Sequence, residues 1–427
     1  MSATLQAAGR LTAGSTRLAR CVVYLRDDDY PWDVRAEKIC LALTGAGHEV
    51  HVVAHNKPGR AEREQLPEGT VHRMPRLSWL PARINAMTGF PAFFNPRWIA
   101  HLRRVVRSTR ADAIIVRDLP LALTAHWCGK RFGIPVLLDM AENYPAMTQD
   151  TWDAGRQRAI DHLVRNPRLV AAVERKVLPL MDAVLTVVEE SATRVKQLGV
   201  RQERVFVVSN TPPAARAEES DEPHVVPHAD HADQRLKLVY LGLLEIPRGV
   251  GELIDAVAML RARGVPVHAT IIGDGRDAAI FREQAKTRGL GSDVFEFTGY
   301  VARDEALRLV SRADIGIVPH HATALWNSTI PNKLFDYMAA GLPVVTSSAV
   351  PAARIVRESG AGEVFRAGDA ASLTESIRAL ESVDARTERG EAGRRAVRER
   401  YNWERDTSEL LTALEQVTSA ASSPAAR

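Results

Sequence analysis

The chain has 427 residues, of which 45% are hydrophobic and 25% charged; this is ordinary globular composition, and the length suits two or three domains. With 56 Lys and Arg against 52 Asp and Glu, the net charge of +4 is too mild to indicate a nucleic-acid partner. Cys21, Cys40 and Cys128 form no CxxC pair and no disulfide framework, which points to a reducing, cytoplasmic compartment. No apolar run reaches the roughly 18 residues needed to cross a bilayer.

Residues 1–19 are Ala-, Thr- and Gly-rich with scattered Arg, and lack the apolar centre of a signal peptide, so they read as a flexible leader. Cys21–Leu25 (CVVYL) is a buried strand, 34–44 a helix that Gly45 and Gly47 can stop, and Glu49–Ala54 (EVHVVA) the next strand. Strands follow at 113–116, 136–138, 183–188 and 205–208, with a helix at 119–131. Residues 212–234 carry Pro212, Pro213, Pro223 and Pro227 among clustered acids, and read as a linker. Alternation then restarts: strand 237–241, helix 250–263, strand Val267–Ile272, helix 278–288, strand 294–297, helix 304–311, strand Ile315–Val318, helix 332–340, strand 343–346. This is α/β architecture: two Rossmann-like domains, 20–211 and 235–400, facing a cleft that receives loops from strand carboxyl ends. Tyr401, Asn402 and Trp403 precede a last helix over 406–417, and 418–427 reads as a disordered tail.

The sharpest motif is IPNKLFDYMAAGLPVV at 330–345. Pro331 suits a first helical turn, with Ser328 or Thr329 as the cap. The free N–H groups around Asn332 form an anion site to which Lys333 adds a charge, and Asp336, one turn on, is placed to accept from ribose hydroxyls. A capped core helix with a solvated Lys–Asp pair explains the local features equally well. In YLGLLEIPRGVG, Arg248 precedes Gly249 and a helix, and its fork suits a pyrophosphate; an ordinary turn with a surface Arg is the blander reading. In TIIGDG, Gly273 and Gly275 permit a tight turn, and Gly299 in FEFTGYV lets a base approach the backbone. His224, His228 and His231 lie near Asp230 and Asp233, but a flexible linker seldom holds metal geometry. Of His320 and His321, one facing the ligand loops and a polar loop pair are equally supported.

Together these segments resemble the family-four retaining glycosyltransferases of the fold known as GT-B. The matching order is strand–G…RG–helix, IIGDG, F–TG–V, ADIGIVP, PNKLFDYMAAGLPVV, with AGHEVHVV, DLP, ENYP and VVSN in the N-terminal half. The resemblance implies an acceptor domain at 20–211, a nucleotide-sugar domain at 235–400, and a helix within 401–417 that crosses back to the first. It implies that Arg248 binds pyrophosphate, that Lys333 and the Asn332 turn contact phosphate, that Asp336 holds ribose, and that the backbone of Tyr300 and Val301 faces the base. It also implies a UDP- or GDP-linked sugar as co-substrate, no cofactor and no metal. Asp118 and Glu142 are the catalytic candidates in the first domain, although Asp118 also reads as a helix cap before Pro120. The chain departs from the family pattern at Ser328, the first acidic position of Glu-x7-Glu, at Leu243, at Ala141 and at RDDDYPWD. These departures resemble a subgroup that makes surface polysaccharides. A sugar-nucleotide epimerase and a non-catalytic sugar-nucleotide-binding protein are the rival readings.

The stretch 76–110 holds Arg76, Arg83, Arg97, Arg103, Arg104, Arg107 and Arg110, without Asp, Glu or Lys, interleaved with Trp79, Phe90, Phe93, Phe94 and Trp98. Arginine among aromatics suits an anionic bilayer surface, and with it a glycan or lipid-linked acceptor and a peripheral position at the inner membrane face. A core-packed helix with a solvated basic face is equally supported.

Overall fold

The computed structural model describes residues 20–422 except positions 32, 58, 82–83, 86–87, 89, 91–92, 154, 156–164 and 219–234. The leader, Arg83, the linker histidines and the end of the tail lie outside the described residues. The chain divides into two compact units. One holds residues up to Val187, Ala192–Val208 and residues from Thr407 on; the other holds Val188–Ser191 and Ser209–Asp406.

In the first unit the elements run β1 (Cys21–Leu25), α1 (Val34–Gly45), β2 (Glu49–Ala54), β3 (Arg63–Leu66), β4 (Gly69–Arg73), α2 (Pro96–Thr109), β5 (Ala113–Arg117), α3 (Ala122–Phe132), β6 (Val136–Met140), α4 (Tyr144–Asp153), α5 (Pro167–Val177), β7 (Ala183–Thr186), α6 (Glu189–Gln197) from Ala192 on, and β8 (Val205–Val207). The sheet order is β3-β4-β2-β1-β5-β6-β7-β8, parallel except for the β3–β4 pair. Every residue of β1, β6 and β7 is buried, which is why these strands read as mainly apolar runs, broken in β6 only by the ion-paired Asp139 and ended in β7 by Thr186. The β3–β4 hairpin escaped sequence reading because its strands, REQL at the sheet edge and GTVHR beside it, are largely polar. The helix expected over 119–131 opens as a 3-10 turn at Leu119–Leu121, around Pro120, before α3 begins.

Helix α2 gives the structure of the C-terminal part of the basic stretch. Asn95 caps it by accepting from the Arg97 N–H at 2.8 Å, and Pro96 occupies its first turn. Trp98, Leu102, Val105 and Val106 face the core. Arg103, Arg104 and Arg107 stay outside and, with Arg131 and Phe132 of α3, line a depression of about 530 Å³.

The second unit comprises β9 (Leu236–Leu241), α7 (Val250–Ala262), β10 (Val267–Ile272), α8 (Ala278–Thr287), β11 (Phe295–Gly299), α9 (Arg303–Ser311), β12 (Ile315–Val318), α10 (Lys333–Ala340), β13 (Val344–Ser347), α11 (Val350–Ser359), β14 (Gly362–Phe365), α12 (Ala370–Arg378), α13 (Val383–Glu399) and the start of α14 (Trp403–Ser422). Its sheet, β11-β10-β9-β12-β13-β14, is parallel throughout. Residues 209–217, which composition assigns partly to a linker, are held on this unit. Asp406 accepts from the Ser209 N–H at 3.0 Å, and Glu404 from the Ala214 N–H at 3.0 Å. From Thr407 on, α14 is grouped with the first unit, where Gln416 donates to the Glu203 carbonyl at 2.7 Å.

In both sheets the strand order reverses beside the first strand, between β1 and β5 and between β9 and β12. Loops leaving the carboxyl ends of such a pair diverge and leave a crevice, the usual ligand position in open α/β sheets.

One buried ion pair ties the first sheet to α1. Arg35 donates from Nε and Nη2 to Asp139 at 2.9 and 2.6 Å, and Tyr24 donates to the other carboxylate oxygen at 2.8 Å. Burial alone would raise the Asp139 carboxyl, but Arg35 and Arg117 outweigh it and hold it below the usual range. Its contribution to stability is therefore present above the unfolded carboxylate pKa and is lost as pH falls through the depressed value. Asp139→Ala strands a buried guanidinium and is expected to cost about 3–5 kcal/mol. Urea unfolding at neutral pH measures this; a loss below ~1 kcal/mol would show that the pair is solvated.

Candidate functional site

The crevice of the second unit is built where β9 ends. Gly242 turns the chain at φ +141°, and the missing side chain leaves room for Lys333: a Cβ there would lie 3.0 Å from the Lys333 Nζ. Lys333 is the first residue of α10. Its side chain is buried, its Nζ sits 3.7 Å above the centre of the Tyr240 ring, and among the described residues that nitrogen has no hydrogen-bond partner. Burial, and then the Arg248 charge, push its pKa well below the ordinary lysine value.

Arg248 closes the 3-10 turn Ile246–Arg248 and is placed by Gly249, whose φ of +73° sets the backbone. A Cβ at Gly249 would lie 1.8 Å from the Pro319 carbonyl oxygen, so the β9 and β12 loops meet backbone to backbone. The Arg248 guanidinium lies over Trp326 at 5.3 Å and pairs weakly with Glu245 at 3.4 Å. His320 meets the same indole edge-on at 4.1 Å and is buried. Lys333, Arg248 and His320 thus share a floor made by Tyr240 and Trp326. Two cations on aromatic faces, one without any acceptor, are arranged to receive a compact anion.

The remaining expected residues fall around this core. Gly273 and Gly275 serve as contact points more than as turns: a Cβ on either would lie 2.1 Å from the Gly242 oxygen or 2.4 Å from the Leu244 oxygen. Gly299, at φ +71°, borders open space, Tyr300 is 89% exposed and Val301 half-buried. The cap assignment changes. Asn332, not Ser328 or Thr329, holds the N-cap position of α10, and its carbonyl accepts from Phe335 and Asp336 at 3.0 and 3.1 Å. The Ser328 hydroxyl instead turns back to the Ala324 and Leu325 carbonyls at 2.8 and 3.1 Å. Asp336 accepts from Arg216 at 3.1 Å. Sequence reasoning missed Arg216, Tyr240 and Trp326: the first sits in a linker-like stretch, and the aromatics read as core.

The crevice of the first unit has a different chemistry. Asp118 follows β5 with φ +56° and ψ 179°, a region that residues with side chains rarely occupy. Its carboxylate makes no capping bond to the 3-10 turn, which overturns the cap reading. It crosses to the next loop, accepting from the Ala141 N–H at 3.0 Å and the Glu142 N–H at 3.4 Å. Arg117 stands 3.4 Å from Asp118, 3.5 Å from Asp139 and 3.6 Å from Asp33. Glu142 is half-buried, and its charge also bears on Arg117. Asp27, which the sequence marks only as part of the departing segment RDDDYPWD, is pushed up to about 6 by burial and by the Asp118 charge.

Two family models match the chain. One, described as glycosyl transferase 4-like domain, covers residues 33–211, and the other, glycosyl transferases group 1, covers residues 235–382. The chain belongs to the group 1 glycosyltransferases. It is 31% identical over 187 residues to phosphatidyl-myo-inositol mannosyltransferase of Mycobacterium leprae, a match spanning 43% of this chain and 48% of that relative. The chain therefore spans about half the length of this curated relative. Among solved structures, sucrose-phosphate synthase of Thermosynechococcus elongatus superposes with a TM-score of 0.70 at 16% identity, over 94% of this chain and 100% of that one. HepE of Anabaena, in complex with UDP, gives 0.68 at 15% identity over 92% and 99%. These likenesses show the fold, GT-B.

The contact at Gly249 yields a direct test. Gly249→Ala adds a side chain at positive φ against the Pro319 carbonyl and is expected to cost about 2–5 kcal/mol. Denaturant unfolding reads the loss, and a neutral substitution would mean that the two loops are not in contact.

Proposed function

We propose that this chain transfers a sugar from a UDP- or GDP-linked nucleoside diphosphate sugar to a glycan or lipid-linked acceptor, with retention at the anomeric carbon. The observation that carries the reading is the buried Lys333 ammonium without an acceptor, beside Arg248, at the carboxyl ends of β9 and β12. A diphosphate supplies the missing partner. Membership of the group 1 glycosyltransferases supports the reaction class, and the fold shared with HepE, solved with UDP, supports the ligand class.

In this reading Lys333, Arg248 and the first turn of α10 neutralise the leaving diphosphate. Asp336, oriented by Arg216, accepts from the ribose hydroxyls, and the backbone at Gly299, Tyr300 and Val301 receives the base. The bond from the anomeric carbon to the phosphate oxygen breaks, the bond to the acceptor oxygen forms on the same face, and the acceptor proton passes to the departing phosphate. Asp118 and Glu142 position the acceptor hydroxyl or the donor sugar.

The arginine depression on α2 and α3 extends the reading to a membrane surface. Among the described residues no helix is long and apolar enough to cross a membrane. Arg103, Arg104, Arg107 and Arg131 would instead engage anionic headgroups, bringing the chain to a lipid-linked acceptor at the inner membrane face.

Arg248→Ala and Lys333→Ala are each expected to weaken sugar-nucleotide binding by roughly 10- to 100-fold, the scale of a charge-assisted hydrogen bond, in calorimetry on folded protein. Transfer of labelled sugar to membrane lipid extract should fall in parallel; unchanged affinity in both variants would dismiss this donor site. Reversing Arg103, Arg104 and Arg107 to Glu should reduce sedimentation with phosphatidylglycerol vesicles by about a hundredfold at low salt. Undiminished sedimentation would dismiss the membrane face.

A further inference from the structure

The two adjacent histidines after β12 have opposite fates. His321 turns to Glu252, with its Nε2 2.9 Å from the carboxylate, and this partner raises its pKa. His320 turns inward. It is 1% exposed, and among the described residues neither ring nitrogen has a hydrogen-bond partner. Its backbone is fixed, because its carbonyl accepts from the Ser347 hydroxyl and the preceding Pro319 carbonyl rests against Gly249.

A buried imidazole with two orphaned nitrogens is costly, because each group has given up water without replacement. Here it lies in the same crevice as a second orphan, the Lys333 ammonium. The charged groups that bear on the His320 ring are Lys333 from α10, Arg248 from the turn before α7, and His321 from its own loop. All are basic. The ring's other neighbour, Trp326, carries Arg248 on its face. Nothing in this set satisfies an imidazole N–H, whereas an anion lodged against Lys333 and Arg248 would.

We propose that His320 is a third ligand of the donor diphosphate and binds it as the imidazolium, so that donor binding takes up a proton. The proposal rests on the donor site described above. In the empty crevice, burial and then the Lys333 and Arg248 charges hold the ring neutral, with its pKa well below the ordinary value. Two phosphate charges reverse that field and offer an acceptor. The sign of the linkage follows. Between the low pKa of the free protein and the raised pKa of the complex, affinity grows as pH falls, by up to about tenfold per pH unit. Above the raised value it is flat.

UDP-glucose and GDP-mannose are suitable probes, because the diphosphate diester in each keeps its two charges between pH 6 and pH 8.5. Calorimetry on the full chain in buffers of different ionisation enthalpy counts protons directly. The expected result is uptake of about one proton near neutral pH and affinity that strengthens several-fold toward pH 6. His320→Gln, which retains a donor but cannot titrate, should abolish the uptake and flatten the profile. Should that variant fail to fold, ring nitrogen chemical shifts in wild-type protein give the same answer: one of the 13 histidines should change from neutral to charged on saturation. Proton uptake that persists in folded His320→Gln would assign it to Lys333 and overturn the proposal. So would tight, pH-independent binding without uptake, which would leave the donor site standing. Failure of both sugar nucleotides to bind at any pH would overturn the donor site and the proposal together.

Discussion

An ammonium buried without an acceptor is the constraint around which the C-terminal unit is arranged. Lys333 emerges at the first residue of α10 and ends against the Tyr240 ring. A cation on an aromatic face recovers part of what desolvation costs, but only part. The geometry survives because neighbouring backbone has been cleared for it. Gly242 leaves the space that the ammonium fills, Gly273 lets the next loop pass against Gly242, and Gly249 lets the β12 loop approach from the other side. Each of these glycines sits at positive φ. Side chains at Gly249 and Gly273 would meet backbone oxygens and block the approach of the loops, and one at Gly242 would crowd the Lys333 ammonium.

Arg248 and His320 complete that arrangement through one indole. Trp326 bears the guanidinium on its face and the imidazole at its edge. A tryptophan between two basic groups keeps water away without offering either a strong acceptor. Glu245 answers Arg248 only at 3.4 Å and no acceptor among the described residues reaches Lys333, so the net positive field favours a multiply charged ligand over a neutral sugar. That preference follows from electrostatics at the strand ends and does not depend on which base or sugar is attached.

Much of this frame was legible in the sequence, and what escaped has physical reasons. Fully buried parallel strands such as CVVYL and the run at 315–318 announce themselves as apolar segments. The segment PNKLFDYMAAGLPVV announces a helix with a cation at its start. The edge hairpin at 63–73 did not, since its strands alternate polar residues. Gly273 does turn the chain at positive φ as expected, but its second purpose, the contact with Gly242, is made across the sheet and leaves no local signal. The fates of His320 and His321 were undecidable from spacing, because only the position of Glu252 on α7 separates them. Arg216 was hidden by its surroundings, a proline- and acid-rich stretch whose composition suggests a linker even though Asp406 and Glu404 hold it in place.

The first unit answers the same topological position with the opposite sign. Asp33, Asp118 and Asp139 converge on Arg117, and burial together with the Asp118 charge raises the carboxyl of Asp27. A diphosphate would be repelled there, whereas hydroxyl groups, which donate to carboxylates, would not. The backbone at Asp118 strengthens this distinction. Its φ of +56° with an extended ψ costs of order 1–3 kcal/mol, and a simple cap needs no such conformation. What the conformation achieves is a carboxylate that reaches the Ala141 and Glu142 amides while its own N–H donates to the Asp139 carbonyl at 2.9 Å. One oxygen is thereby immobilised by backbone, and Arg117 steadies the other. A carboxylate so fixed cannot follow a moving charge. It can hold a hydroxyl at a constant angle, which is what the positioning role proposed for it requires.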